Sequence, residues 1–144
     1  MCGIAGFLVK NRMNYGGNLS EQATHMSEAI ISRGPDDSGV WADKVAGVAL
    51  SHARLSIVDL SPAGHQPMES VSGRYAIVFN GEIYNHKEIR SNLRDKVSYW
   101  RGHSDTETLL NAIVFKEFHK FQIRIMPSSH PHQPIRRRKP ASLP

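Results

Sequence analysis

The sequence predicts an α+β domain in which strands and helices follow one another in a mixed order. An almost continuous apolar run at residues 1–9 is typical of a strand buried on both faces. Helical spacing of apolar residues appears between 20 and 30 and again between 89 and 114, and β-rich runs lie between these regions. This order differs from the strict alternation that predicts a parallel α/β sheet.

The first helix is predicted after a loop that contains two glycines. Ser20 has a side chain that can cap it, and the turn-forming sequence Arg33-Gly34-Pro35 is expected to end it. The apolar residues at helical spacing in this segment are Ala23, Met26, Ala29 and Ile30.

The central part of the chain is predicted to be β-rich. Short runs of strand-forming residues lie at 45–50 and 55–58, and a loop punctuated by Pro and Gly follows at 61–67. Residues 75–79 (YAIVF) are the clearest strand in the chain.

Two helical segments follow this β-rich region. Ile89 and Leu93 have helical spacing, which returns after Gly102. Ser104 and Glu107 have the spacing of a capping box, so the last helix is expected to begin directly after Ser104.

Length and composition indicate one partial domain, 2–115, followed by an aberrant tail, 116–144. The 144 residues are too few for a second independent core. The end of the chain, 126–144, contains five prolines and the basic run Arg136–Lys139. Because such a composition buries little apolar surface, the tail is predicted to be disordered.

The positive charge of the protein belongs to this tail. Residues 116–144 hold seven Lys or Arg and one Glu, a net charge of +6, so the total of +5 leaves −1 for residues 1–115. Nucleic-acid binding through Arg136–Lys139 is an alternative function, although no aromatic residues are interleaved with that run.

Several other classes of protein are disfavoured. No apolar run is long enough to cross a bilayer and no basic region precedes the first apolar run, so we expect a cytoplasmic protein without membrane contact. The single cysteine, Cys2, excludes an internal disulfide. The eight histidines are scattered without an i, i+4 pair on a predicted helix, and we expect no metal site.

Cys2 is the first candidate for catalysis because it directly follows Met1. If Met1 is removed, the thiol and a general base, the α-amine, belong to one residue. A small buried residue that happens to be second is the alternative. The run Cys2-Gly3-Ile4-Ala5-Gly6 favours the catalytic interpretation because it is similar to the start of N-terminal-nucleophile glutamine amidotransferases.

Four further segments carry polar groups in a suggestive order. Each has a structural alternative: a Pro-Asp turn at 33–39, a solvated arginine at a strand edge at 51–59, a type I′ hairpin turn at 80–85 and a favourable helix dipole at 104–107. The segments read RGPDDSG, SHARLSIVD, NGEIYN and SDTE.

From residue 2 to about 113, the order and spacing of these segments resemble the class II glutamine amidotransferase domain of asparagine synthetases. The resemblance implies the four-layer αββα sandwich of N-terminal-nucleophile hydrolases, incomplete at the C-terminus. After Val114 the sequence departs from two strands typical of the family, so the chain is expected to be a truncated domain of low stability.

The resemblance also implies a role for each candidate site residue. Cys2 is the nucleophile, and Asn80 and Gly81 form the oxyanion hole. Arg54 binds the α-carboxylate of glutamine, and Asp105 binds its α-ammonium group. The remaining residues expected around glutamine are Leu55, Ser56, Ile57, Val58 and Glu82.

Glutamine is therefore the expected substrate, and no cofactor is expected in this chain. ATP and Mg belong to the synthetase domain of the family, whose members are often homodimers. Alternatives are the amidotransferase domain of a glucosamine-phosphate-forming or phosphoribosylamine-forming enzyme, or an inactive fragment.

Overall fold

The computed structural model describes residues 2–10, 15–56, 61–117 and 125–126, and it has the predicted mixture of strands and helices. The elements, in chain order, are β1 (Gly3–Leu8), α1 (Leu19–Ala29), β2 (Asp37–Asp43), β3 (Val48–Arg54), β4 (Met68–Glu69), β5 (Ala76–Ile77), β6 (Glu82–Ile83), α2 (His86–Asn92), α3 (Asp105–Val114) and β7 (Ile125–Met126). Short 3-10 turns lie at Ile31–Arg33 and Pro62–Gly64. Within these ranges no helix is both long and apolar enough to cross a membrane.

An antiparallel sheet in the order β1-β3-β2 determines where the N-terminus lies. Gly3 pairs with Ala53, and Asp37 pairs with Arg54. Cys2, which precedes Gly3, is therefore brought to the end of β3, beside Arg54 and Leu55.

Each face of this sheet has a different cover. On one face α1 packs Leu19 and Ala23 against Ala49 of β3, with Phe7 and Val40 around them. On the other face the segment after β3 passes so close to β2 that a side chain at Gly39 would overlap the carbonyl oxygen of Gln66.

A second apolar core joins β6 to the last two helices. Ile83 packs with Ile89 and Leu93 from the α2 region and with Leu109 and Ala112 of α3. The loop and short strands between 61 and 83 therefore lie between this core and the three-stranded sheet. The candidate site residues lie in this segment, at its contact with the three-stranded sheet and at its contact with the second core.

The strand at the N-terminus is confirmed, but the expectation that both its faces are buried is wrong. Ile4 is 42% exposed and Leu8 is 68% exposed. The reason is that β1 is at the edge of its sheet, and α1 covers only the face that carries Phe7.

The predicted cap of the first helix is also wrong by two residues. The Asn18 side chain, rather than that of Ser20, accepts hydrogen bonds from the backbone N–H groups of Ser20 and Glu21. The α-helix ends at Ala29, and the 3-10 turn at Ile31–Arg33 continues the chain to Gly34.

The run 45–50 does not form a strand along its whole length. The Asp43 carboxylate accepts hydrogen bonds from the N–H groups of Val45 and Ala46, and Gly47 has a φ of 69°. These contacts make a turn between β2 and β3, so β3 begins only at Val48.

The run 55–58 is likewise not the predicted strand in its described part. The N–H of Leu55 donates to the Cys2 sulfur and that of Ser56 donates to Asp36, so side chains take the bonds that a strand would supply. Ile57 and Val58 lie outside the described residues.

The strand predicted at 75–79 is confirmed only for Ala76 and Ile77, which pair with Glu69 and Met68, respectively. The N–H of Phe79 instead donates to the side chain of Gln66.

Most of the segment 116–144 lies outside the described residues. Ile125 and Met126, which the composition placed in a tail without regular structure, pair with Ile83 and Glu82 as a two-residue antiparallel strand.

We predict that Asn18→Ala lowers the free energy of unfolding by about 1 kcal/mol, because two N–H groups lose their acceptor. Urea denaturation measures this change. The matched control is Ser20→Ala on the exposed side of the same turn, which should change stability by less than about 0.5 kcal/mol. Equal losses in the two variants would contradict the assignment of Asn18 as the cap.

Candidate active site

The backbone of Cys2 is held by two distant parts of the chain. Its carbonyl oxygen accepts a hydrogen bond from Nδ2 of Asn80 at 2.9 Å and another from Nε of Arg33 at 3.3 Å. A residue at a chain terminus is usually poorly ordered unless such contacts tie it down. These bonds give Cys2 a defined position against the predicted NGEIYN segment.

The Cys2 thiol lies against the main chain of Leu55. The sulfur accepts from the Leu55 N–H at 3.3 Å, and the S–H points to the Leu55 carbonyl oxygen at 3.6 Å. The thiol is half-buried and is not in a disulfide. A half-buried thiol remains accessible to a substrate, and the neighbouring N–H group can also donate a hydrogen bond to the thiolate.

Asn80 and Gly81 do not form the hairpin turn considered from sequence. A type I′ turn requires a positive φ at both central residues. Among the described residues a positive φ occurs only at Lys116, Gly47 and Gly73. The Asn80 amide is half-buried and directed to Cys2, whereas Gly81 is exposed.

Arg54 is buried rather than solvated, with 8% of its surface exposed. Its Nη1 donates to the carbonyl oxygen of Ser61 at 3.0 Å and lies 3.9 Å from the Asp37 carboxylate. Gly64 packs against the guanidinium so closely that a Cβ at this position would overlap Nη2. The turn at 61–64 therefore sets the position of the arginine that was predicted to bind a carboxylate.

Asp105 is buried at the N-terminus of α3. Its Oδ2 accepts from the N–H of Ile83 at 2.9 Å, and its Oδ1 accepts from the N–H of Thr106 at 2.8 Å. Because each carboxylate oxygen has two lone pairs, these two bonds leave acceptor capacity for an ammonium group. Asp105 is thereby tied to a strand that begins two residues after Asn80.

The structure brings the predicted residues together to different degrees. Cys2 contacts Leu55 and Asn80 directly. Arg54 reaches this group only as the residue before Leu55. Asp105 reaches it only through its hydrogen bond to Ile83, three residues after Asn80. Glu82 is exposed in β6. Ile57 and Val58, which were also predicted to line the site, are outside the described ranges.

The pair formed by Asp37 and His65 was not predicted. Nδ1 of His65 lies 2.8 Å from Oδ2 of Asp37, the same oxygen that faces Arg54. Both residues stand in segments that the sequence had singled out. No local spacing connects them, because 28 residues separate them along the chain.

Glu107 has a role that the capping-box pattern did not predict. Ser104 caps α3 as expected, since its hydroxyl accepts from the Glu107 N–H at 3.1 Å. The Glu107 carboxylate, only 2% exposed, accepts from the N–H groups of Arg101 at 2.7 Å and Gly102 at 3.1 Å. It also lies 3.9 Å from the Arg90 guanidinium. The carboxylate therefore fixes the loop that leads into Ser104 and Asp105.

His52 is a fully buried histidine on β3 beneath the site. Burial lowers its pKa, and the nearby Arg54 charge acts in the same direction, while the Phe79 backbone and Asp37 oppose it. Within the described residues neither ring nitrogen makes a hydrogen bond of good geometry. The lowered pKa of His52 favours its neutral form in the folded protein. Across the same ranges no three His, Cys, Asp or Glu side chains are grouped as metal ligands would be.

Comparison with known proteins identifies the class. A family model for the glutamine amidotransferase domain matches residues 1–120, and the chain belongs to this family. The chain is similar to the asparagine synthetase (glutamine-hydrolyzing) 3 of Bacillus subtilis, with 36% identity over 119 residues that cover 79% of this chain and 18% of the relative. The resemblance that the motifs predicted is confirmed.

Two other relatives agree with this assignment. Asparagine synthetase B (glutamine-hydrolyzing) of Escherichia coli is 40% identical over 92 residues, which cover 64% of this chain and 16% of the relative. Amidase chry2 of Gibberella zeae is 35% identical over 117 residues, covering 76% of this chain and 17% of the relative. The chain therefore spans less than a fifth of the length of these three relatives.

We predict that Gly64→Ala lowers the free energy of unfolding by about 1–3 kcal/mol, because the added methyl group displaces the buried Arg54 guanidinium. Gly16→Ala is the matched control, since a Cβ there would meet no atom within 4 Å. Chemical denaturation of both variants measures the difference. The packing of Gly64 on Arg54 would be refuted if the two variants had equal stability.

We predict that His52 makes stability depend on pH. Its folded pKa lies below the unfolded value of about 6.5, so its contribution is fully present above that pH and is lost as the pH falls towards the folded pKa. The stability advantage of the wild type over His52→Gln should therefore shrink from pH 7.5 to 5, by at most about 1.4 kcal/mol per pH unit.

The exposed His25 provides the matched control for this measurement. The wild type and His25→Gln should differ by a nearly constant amount over the same pH range. An advantage over His52→Gln that stays constant as well would be inconsistent with a buried neutral histidine.

Proposed function

We propose that this chain supplies the glutaminase activity of an asparagine synthetase, releasing ammonia from the side chain of glutamine. The observation that carries the proposal is the position of the Cys2 thiol, which lies against Leu55 while Asn80 holds the Cys2 backbone. The relatives at 36–40% identity that are named as glutamine-hydrolysing asparagine synthetases support the same activity.

In this proposal Met1 is removed, and the free α-amine of Cys2 acts as the general base. A terminal amine has a reference pKa of about 7.7–8.0, which suits proton transfer near neutral pH. The chemistry requires thiol and amine on one residue, and Cys2 is the single cysteine of the sequence. The two hydrogen bonds to the Cys2 carbonyl support it by keeping that residue fixed when its amine is released.

The reaction begins when the sulfur adds to the side-chain amide carbon of glutamine and the thiol proton passes to the α-amine. A tetrahedral intermediate forms, and its oxyanion accepts hydrogen bonds from the Asn80 amide and the Gly81 N–H. A side-chain amide has two N–H donors, so Asn80 can bind the Cys2 carbonyl and the oxyanion together. A donor of this kind contributes about 2.7–4 kcal/mol to the rate.

Collapse of the intermediate breaks the carbon–nitrogen bond, and the α-ammonium returns its proton to the leaving nitrogen, which departs as ammonia. The product on the enzyme is a thioester. Water then adds to the thioester carbon with the α-amine as base, glutamate leaves, and the proton restores the thiol. Each group required for both steps belongs to Cys2, Asn80 or Gly81.

Arg54 and Asp105 bind the two charged ends of glutamine. The guanidinium is suited to the α-carboxylate because its planar fork forms two parallel hydrogen bonds. Asp105 binds the α-ammonium group, and the main-chain groups of Leu55 and Ser56, together with Glu82, line the pocket. Both side chains are buried and already oriented by backbone contacts, which supports a binding role rather than a solvated one.

The fold proposed for the domain is the four-layer sandwich of N-terminal-nucleophile hydrolases. The support is the order of contacts from α1 through the three-stranded sheet and the 61–83 segment to α2 and α3.

We place the protein in the cytoplasm as part of a homodimeric enzyme. The amidation of aspartate, with ATP and Mg²⁺, belongs to a synthetase domain and not to the residues described.

We predict that a glutamine analogue with an electrophilic carbon labels Cys2 once and that Cys2→Ala abolishes the labelling. Peptide mass spectrometry identifies the labelled residue and whether Met1 is absent. Glutamine should slow the labelling, whereas asparagine, one methylene shorter, should not.

Iodoacetamide is the control reagent, because it reports whether the Cys2 thiol is accessible and reactive, and glutamine should slow this labelling as well since it covers the same sulfur. Labelling of another residue by the analogue, or labelling of Cys2 that glutamine does not slow, would rule out the proposed function.

A further inference from the structure

Gln66 connects two parts of the site through one buried side chain. It is 7% exposed, and its Oε1 accepts from the N–H of Phe79 at 2.6 Å. Its Nε2 donates to the Thr106 hydroxyl at 3.2 Å. The amide orientation follows from chemistry, because the Phe79 N–H can only donate and therefore faces the oxygen. Only a side chain with an acceptor and a donor on one planar group makes both contacts in this way.

The two partners of Gln66 are each next to a residue of the proposed site. Phe79 precedes Asn80, which holds the Cys2 backbone. Thr106 follows Asp105, and its N–H donates to the Asp105 carboxylate at 2.8 Å. A displacement of Gln66 would therefore reach both the oxyanion donor and the group that binds the α-ammonium.

Gln66 and the residues just before it also contact the side of the site formed by β2 and Arg54. Its carbonyl oxygen packs on Gly39 of β2, and its neighbour His65 binds Asp37. The turn just before it holds Arg54 through Ser61 and Gly64. The segment 61–66 thus contacts Arg54 directly and, through Gln66, the neighbours of Asn80 and Asp105.

We propose that Gln66 is a positioning residue that sets the distance between the oxyanion donor Asn80 and the ammonium acceptor Asp105. The inference rests on the proposed function, since it assigns those two roles. Gln66 acts through Phe79 and Thr106 and does not touch glutamine. Its two hydrogen bonds should affect different kinetic constants, because one supports the transition state and the other supports substrate capture.

Thr106→Val removes only the hydrogen bond between Nε2 of Gln66 and the Thr106 hydroxyl, next to Asp105. In a glutaminase assay of the full chain, KM for glutamine should rise about threefold to tenfold while kcat stays within about twofold. Thr108→Val is the matched control, because Thr108 is a buried threonine of the same helix whose hydroxyl donates to the Ser104 carbonyl. Its KM should change by less than about twofold.

Gln66→Met removes both contacts and leaves the Phe79 N–H without its acceptor. KM should rise as in Thr106→Val, and kcat should also fall about tenfold, as it would if the Asn80 donor were displaced. Amide hydrogen exchange gives a direct readout: Phe79 should be protected in the wild type and in Thr106→Val, and should exchange at least tenfold faster in Gln66→Met. If Gln66→Met does not fold, Thr106→Val decides.

The role of Gln66 is overturned if Thr106→Val and Thr108→Val have the same KM, or if Phe79 remains protected in a folded Gln66→Met. Labelling of Cys2 by the electrophilic glutamine analogue separates this failure from that of the proposed function. A wild type that is labelled but insensitive to Thr106→Val rejects the positioning role alone. A wild type that is not labelled and does not hydrolyse glutamine rejects both.

Discussion

The antiparallel pairing of Gly3 with Ala53 is the constraint on which the site depends. It brings Cys2 to the end of β3, where the chain passes from Arg54 into Leu55. From that position the thiol meets the Leu55 main chain, and the Cys2 carbonyl comes within reach of Asn80. A shift of one residue in this register would turn every side chain of β1 to the other face of the sheet and would remove the sulfur from Leu55.

Side chains, rather than strand ladders, fix much of the backbone around the site. Asp36 accepts from Ser56, Gln66 from Phe79, and Glu107 from the loop at 101–102. The first two bonds continue the β2–β3 and β4–β5 pairings beyond the ends of their strands, and those to Glu107 hold the loop that precedes α3. Because a buried N–H without an acceptor costs about 1–3 kcal/mol, each bond also specifies where its segment must lie.

Sequence reasoning could single out candidate site residues where residue type within a recognisable segment carries the chemistry. Cys2, Arg54, Asn80 and Asp105 were predicted in this way, and the structure places them along one connected path. It was least successful where geometry decides between equivalent residues. Asn18 and Ser20 are both good caps, and periodicity alone does not separate them. Gln66 falls in the loop predicted at 61–67, but its contacts could not be predicted, because a loop has no periodicity and its partners are 13 and 40 residues away.

The contacts of Cys2 also determine at which stage of synthesis and folding its thiol acquires its surroundings. Cys2 is bonded to residues that are 53 and 78 positions further along the chain. Closing loops of this length costs conformational entropy before any contact compensates for it, which slows folding. A nascent chain therefore carries an ordinary flexible cysteine until residues as far as Asn80 have been made and have folded. The environment of the thiol is a product of tertiary folding and not a property of the N-terminal peptide.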